Sequence, residues 1–494
     1  MSITRDSAKE VLVEGAAEKQ GISDDVLALI VGLLFFMLAL PSIWGYDLLG
    51  WAVSTSVWTH IDKALNPISK TYANIGGLSS LFFTYLILLT VLTLGAAALR
   101  FDVKKFAIRF SVVFVISYLS WIIGSFANFA AVTPADLEKF GLTWSLHLTA
   151  EGGFIVALIA GLIVANFFPK LAAWLGDAIR PELYIKIGIV ILGGFIAITA
   201  AEKLSFASSI LLRGVAAIIE AYLIYWAVVY YAARKWFGFN REWAVPLASG
   251  ISICGVAAAI STGGAIRARP IIPILVSSLV VVFAVVEVLV LPFVAQHWLS
   301  SEPLVAAAWL GLAVKTDGAA VASGTIAEAL INAKAATQGI NYQTGWILGT
   351  TATVKVFIDI FIGVWSFILA YIWTNHIDKK EGDKAKLGEI WQRFPKFIIG
   401  FVITFAVILI TALSAPELTG KIKAATVESN NFRVIFFLLT FFTIGVQSNF
   451  SKLWKEEGVG KLVAIYVISL FGFVIWVGLA ISWIFFAGVK PPLV

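Results

Sequence analysis

The chain has 494 residues, of which 60% are hydrophobic and only 13% charged, with a mean hydropathy of +0.92. A soluble domain carries about 25% charged residues, so this composition excludes a water-soluble globule and makes lipid the solvent for much of the surface. The net charge of +6 comes from short basic clusters between apolar runs, not from a nucleic-acid-binding patch, and the lone cysteine, Cys254, excludes a disulfide framework or a thiolate metal cluster.

In chain order, residues 1–25 are polar and mixed in charge. No small-residue cleavage site follows the first apolar run, so that run reads as a retained helix and not as a signal peptide. Runs of the ~20 apolar residues that a bilayer requires begin near Val26, Ile75, Phe106, Glu151, Leu183, Ala207, Ala244, Ile271, Leu304, Tyr342, Phe397, Phe432 and Leu462, or about thirteen spans. The stretches 47–67 and 134–147 are amphipathic and bear Trp, the pattern of segments lying at the interface. The most polar connection is 375–396, a cytoplasmic linker in this reading. The expected fold is therefore an all-α, polytopic transmembrane bundle. Its parts are an N-terminal cytoplasmic segment (1–25), accessory helices (26–150), a first core part (151–374), the charged linker (375–396) and C-terminal core helices (397–494). With the N-terminus inside, the inner loops hold Arg100, Lys104, Lys105, Lys170, Arg180, Arg234, Lys235, Arg241 and the basic residues of the linker, the expected positive-inside bias.

Two apolar runs are interrupted. The stretch 249–264 holds Ser249, Gly250, Ser252, Cys254, Gly255, Ser261, Thr262, Gly263 and Gly264, and Arg267 and Arg269 follow it. The stretch 311–325 holds Gly311, Lys315, Thr316, Asp317, Gly318, Ser323 and Gly324. Irregular backbone inside a bilayer is tolerated only where protein or a watery cavity surrounds it. Discontinuous helices also aim their positive N-terminal ends at anionic groups near the midplane. Small residues serve plain helix packing as well, and for the first stretch the two readings stand level. The second is harder to explain by packing. A charged side chain at mid-membrane costs at least ~2.5–3.5 kcal/mol, and Lys315 and Asp317 lie only two residues apart. Two residues apart on a helix they face different ways, so they pair only if the backbone breaks, as Gly318 allows.

Other charges lie within apolar runs. Lys355 and Asp359 are four apart on one helix face and read as a structural ion pair, with Asp359 also a candidate for ion coupling. Glu220 and Glu287 have no opposite charge within a turn of their own helices. Each either carries a proton through a transport cycle or sits neutral and hydrogen-bonded between helices. Gln447 and Asn449 mark an interface. The histidines, His60, His147, His297 and His376, are scattered, which disfavours a metal site or a membrane-embedded enzyme acting on lipid. There is no P-loop, Rossmann fingerprint, paired-His zinc helix, Gly-x-Ser-x-Gly elbow or potassium-filter signature. The chain reads as no enzyme.

The run Ser252-Ile253-Cys254-Gly255, continuing to Arg267, resembles the bacterial sulfate exporter family of integral membrane proteins. In that family a Ser-Ile-Cys-Gly core follows a helix and a short basic loop, here 234–240. The Gly-bearing stretch 186–194 is similar to the family's Leu-Gly-rich helix, and 311–324 to a segment ending in Ala-x-Gly. The resemblance covers about 181–371, more weakly 432–494. It implies the fold of the sodium/bile-acid symporter and sodium/proton antiporter group, with inverted repeats and two broken, crossing helices in the bacterial inner membrane. Lys315 departs from it, standing where smaller members carry a His before an acid. The resulting expectation is a secondary active transporter of a small inorganic or organic anion, such as sulfate or a related sulfur oxyanion or sulfonate, working by alternating access. Ser252, Cys254, Gly255, Ser261, Thr262, Gly263, Lys315, Thr316 and Ser323 would line the substrate site. Asp317, Glu287, Glu220 and Asp359 would couple H+ or Na+, with no other cofactor. An anion channel or a sodium/proton-coupled carboxylate transporter is the alternative, and a homo-oligomer stays open.

Overall fold

Apolar runs become helices because a backbone in lipid must satisfy its own N–H and C=O groups. The computed structural model describes residues 22–131, 134–146, 152–202, 204–269, 271–360, 362–377, 395–448 and 459–494. Residues 1–21, His147, Asn449 and most of the expected linker, 378–394, lie outside the described residues.

Helix α1 (Asp24–Ala39) starts where the Ser23 hydroxyl accepts the Val26 N–H at 3.3 Å, and Asp24 and Asp25 add negative charge to its first turn. The stretch 47–67 then forms an antiparallel hairpin, β1 (Val53–Thr55) with β2 (Leu65–Pro67). Helices α2 (Gly77–Ala98) and α3 (Val103–Gly124) follow, and Asp102 caps α3 by accepting the Lys105 N–H at 3.1 Å. Helix α4 (Gly152–Phe167) leads to α5 (Pro181–Glu202). Next, α6 (Leu204–Ile219) and α7 (Trp226–Lys235) are joined by a π-helical turn, Glu220–Tyr225.

The two interrupted runs come as paired half-helices. α8 (Arg241–Ser252) is followed by α9 (Gly255–Ala265). After the long α10 (Ile271–Trp298), α11 (Pro303–Ala313) is followed by α12 (Asp317–Thr337). The chain continues with α13 (Trp346–Ile360), α14 (Ile362–Ile372), α15 (Lys396–Ser414), α16 (Thr419–Gln447), α17 (Val459–Ser469) and α18 (Ile475–Phe486).

Among the described residues, 9 helical stretches are long and apolar enough to cross a membrane. The other expected spans fall on the shorter helix α4, on α6–α7 and on the two broken pairs. The architecture is an all-α polytopic bundle.

Helix α5 sits at its centre, packed against α1, α15 and α16. Glycines permit the closest approaches: a Cβ on Gly161 of α4 would meet the Phe442 carbonyl of α16, and one on Gly193 of α5 the Phe401 carbonyl of α15. The N-terminal hairpin is anchored from both sides. Val53 donates its N–H to Thr84 Oγ1 at 2.9 Å, and Asn431 Nδ2 donates to the Val53 carbonyl at 2.8 Å.

Candidate functional site: two helix breaks in contact

Both breaks are backbone events before they are charge sites. Ile253 and Cys254 leave helical geometry, with Cys254 extended (φ −127°, ψ 116°) before α9 begins at Gly255. Val314 and Thr316 are extended between α11 and α12. The interruptions touch: Gly255 donates its N–H to the Lys315 carbonyl at 2.5 Å. Position 255 must be glycine for this approach, because a Cβ there would collide with Val280 of α10 and lie 3.2 Å from the Lys315 carbonyl.

A break in a helix leaves orphan carbonyls on one side and orphan N–H groups on the other. Charged side chains answer them in matching sign. Lys355, on α13, donates to the Ile253 carbonyl at the C-terminal end of α8, at 2.8 Å. Lys315 folds its ammonium back onto the Leu312 carbonyl at the end of α11 and lies 5.0 Å from the Tyr225 ring. Glu287, on α10, accepts the Lys315 N–H at 3.0 Å. Asp317 is the first residue of α12, and its carboxylate accepts the Cys254 thiol proton at 2.9 Å beside the start of α9. Cations thus sit at half-helix C-termini and carboxylates at N–H groups, the arrangement that helix dipoles favour.

Lys315 and Asp317 do not pair with each other. Asp317 faces Lys355, 3.9 Å away, because the extended backbone at Thr316 sends the two neighbours apart. Lys355 thus faces Asp317 across helices, with the Asp359 carboxylate on its own helix also within electrostatic reach. The Cys254 thiol and one carboxylate oxygen each of Asp317 and Asp359 lie within 4.8 Å of one another, all buried. This set has the chemistry to hold a cation, and the Lys355 ammonium beside it is the chain's own.

The remaining candidates divide. The hydroxyls of Ser252 and Ser323 are fully buried and find no hydrogen-bond partner among the described residues. Thr316 caps α12 by accepting the Ala319 N–H at 3.1 Å. Thr262 bonds back to the Ala258 carbonyl at 2.7 Å, Ser261 meets Ser366 at 2.8 Å, and Gly263 packs on Pro273, so these three serve contacts along α9 away from the breaks. Glu220 sits in the π-helical turn, where Tyr225 donates to it at 3.4 Å, which links it through the Tyr225 ring to Lys315. Beyond the first broken pair Arg269 is exposed and bound to Glu242 at 3.0 Å.

Residues 109–464 match the protein family described as Conserved hypothetical protein 698. A UPF0324 membrane protein of Nitrosomonas europaea is 39% identical over 476 residues, 95% of this chain and 97% of the relative. The chain belongs to the UPF0324 membrane protein family. A second UPF0324 membrane protein, from Rhodopirellula baltica, is 31% identical over 63% of this chain and 53% of its own. A protein of Archaeoglobus fulgidus is 48% identical over 162 residues, 29% of this chain and 86% of its own.

The UPF0324 family match spans both breaks and starts within α3, so the first two helices and the hairpin precede it. Sequence reasoning missed two members of this site: Lys355 as the partner of Asp317, and the Tyr225 hydroxyl, which donates to Glu220. Their helices are remote in sequence, so only an unexplained Lys355 inside an apolar run could have flagged them.

Proposed function

We propose that this membrane protein is a secondary active transporter of a small anion, sulfate or a related sulfur oxyanion or sulfonate, working by alternating access. The observation that carries the reading is the meeting of two broken helices, Gly255 N–H to Lys315 carbonyl, inside a set of buried ionisable groups. Breaking two helices in mid-bundle and burying Lys315, Asp317, Glu287, Lys355 and Asp359 is costly. A scaffold has cheaper ways to pack.

An anion approaching the breaks would meet the N-terminal end of α9, the Lys315 ammonium and the spare hydroxyls of Ser252 and Ser323. Asp317 and Asp359, set against Lys355, would take up the coupling ion. The crossed breaks also support the likeness to the sodium/bile-acid symporter and sodium/proton antiporter group and its inverted repeats. In this reading the membrane is the bacterial inner membrane, with the N-terminus cytoplasmic.

The test is purified protein in proteoliposomes, offered sulfate, sulfite, sulfonates and short carboxylates under imposed pH and sodium gradients. Saturable, uphill accumulation of one anion class is expected, abolished in Lys315→Ala with membrane insertion intact. Downhill flux alone would make the protein a channel, and a fully active Lys315→Ala variant would remove that residue from the site.

A further inference from the structure

Helix α5 is sealed along its first turns except at one residue. Pro181 and residues 183–194 are buried, yet the Glu182 side chain keeps 32% of its surface exposed. Its neighbours form a chain of charges across three helices. Lys186, one turn on, lies 3.7 Å from Glu182 and 2.8 Å from Asp25 of α1, and Asp25 also accepts the Lys396 N–H at the start of α15, at 3.2 Å. Asp25 is itself 24% exposed and Lys186 11%. Helix α5 itself runs beside the second break. Ile185 of α5 stands against Gly318 in the first turn of α12, where a Cβ would lie 3.6 Å from it. Glu182 accordingly feels the charges of Asp317 and Lys355 as well as those of Lys186 and Asp25.

We propose that Glu182, flanked by Lys186 and Asp25, is the proton entry to the Asp317–Asp359 pair from the face on which α1 and α5 begin. The idea rests on the transporter reading for what the proton drives. A hydronium ion gives up a proton to a Glu182 carboxylate oxygen and leaves water behind. The proton then passes to a carboxylate of the inner pair, and Glu182 returns to its charged form. The Lys186 ammonium, held by Asp25, favours the charged form of Glu182 and so its release of the proton. A helix N-terminus alone accounts for an acid in the first turn. It does not account for one that is partly exposed on one side and within electrostatic reach of the central pair on the other.

Two measurements decide it. In a Cys254→Ala background, which removes the chain's only thiol, Glu182→Cys should react with a membrane-impermeant thiosulfonate from the α1 face while Ile185→Cys does not. In proteoliposomes, Glu182→Gln should slow pH-gradient-driven anion uptake at least about tenfold and flatten its pH dependence, and Glu182→Asp should restore both. A folded Glu182→Cys protein that stays unlabelled, or a Glu182→Gln protein with wild-type pH-driven uptake, overturns the proposal. Wild-type protein that moves no anion sinks the transporter reading and the proton's role with it, whereas the labelling settles the opening at Glu182 by itself.

Discussion

The buried charges behave as two linked groups with different partners. Asp317 and Lys355 face each other 3.9 Å apart, and both are at least 95% buried. Removing one member of a buried pair strands the other and costs about 3–5 kcal/mol, whereas removing both costs far less. Lys355→Met should therefore lower the thermal midpoint of the detergent-solubilised protein well below wild type, and Asp317→Asn added to it should recover much of the loss. Equal midpoints for the single and double variants would show that the pair does not couple. Lys315 belongs to the other group, with the Leu312 carbonyl, Tyr225 and Glu220. The sequence could not separate the groups: Lys315 and Asp317 are two residues apart and Lys355 and Asp359 four, so linear spacing proposed two local pairs. The extended backbone at Thr316 redirects Asp317 across the bundle to Lys355, so Lys315 and Asp317 do not pair.

At the scale of elements, the break sites were legible because Gly, Ser and charge replace Leu and Val at 249–264 and 311–325. That the two breaks touch was not, since it depends on Val280 of α10 leaving room for a bare glycine. Gly255→Ala should push α9 from Lys315 and destabilise by about 1–3 kcal/mol, the usual cost of overpacking. Denaturation in mixed micelles measures this, and an unchanged midpoint would mean that the contact is loose. A surface element gives a pH-dependent case. The Lys105 N–H and ammonium hold the Asp102 carboxyl below its usual value while it caps α3. Because the folded value is depressed, the cap's contribution is full above the unfolded value and fades as pH falls through the folded one. The protection factor of the Lys105 amide, its exchange relative to the intrinsic rate, should fall in acid in the wild type. In Asp102→Asn, which caps without titrating, that acid response should vanish.

For the whole molecule, the apolar runs told nearly everything about class, because length and hydropathy are what a bilayer selects. The 47–67 stretch shows the limit. Its Trp-bearing amphipathic pattern suits an interface, yet its hairpin depends on Thr84 and Asn431 from distant helices. The candidate site was legible as a list of unlikely charges and not as a geometry, for the partners come from the π-helical turn, α10 and α13. The claim beneath the functional reading is that the contact between the breaks opens to water and solute. Ser252→Cys in the Cys254→Ala background reports on it directly, since the native hydroxyl is buried and has no partner among the described residues. Reaction with a small membrane-impermeant thiosulfonate, slowed by the transported anion, is the expected result. A position that stays unreactive and dry under every gradient and anion tried would contradict it.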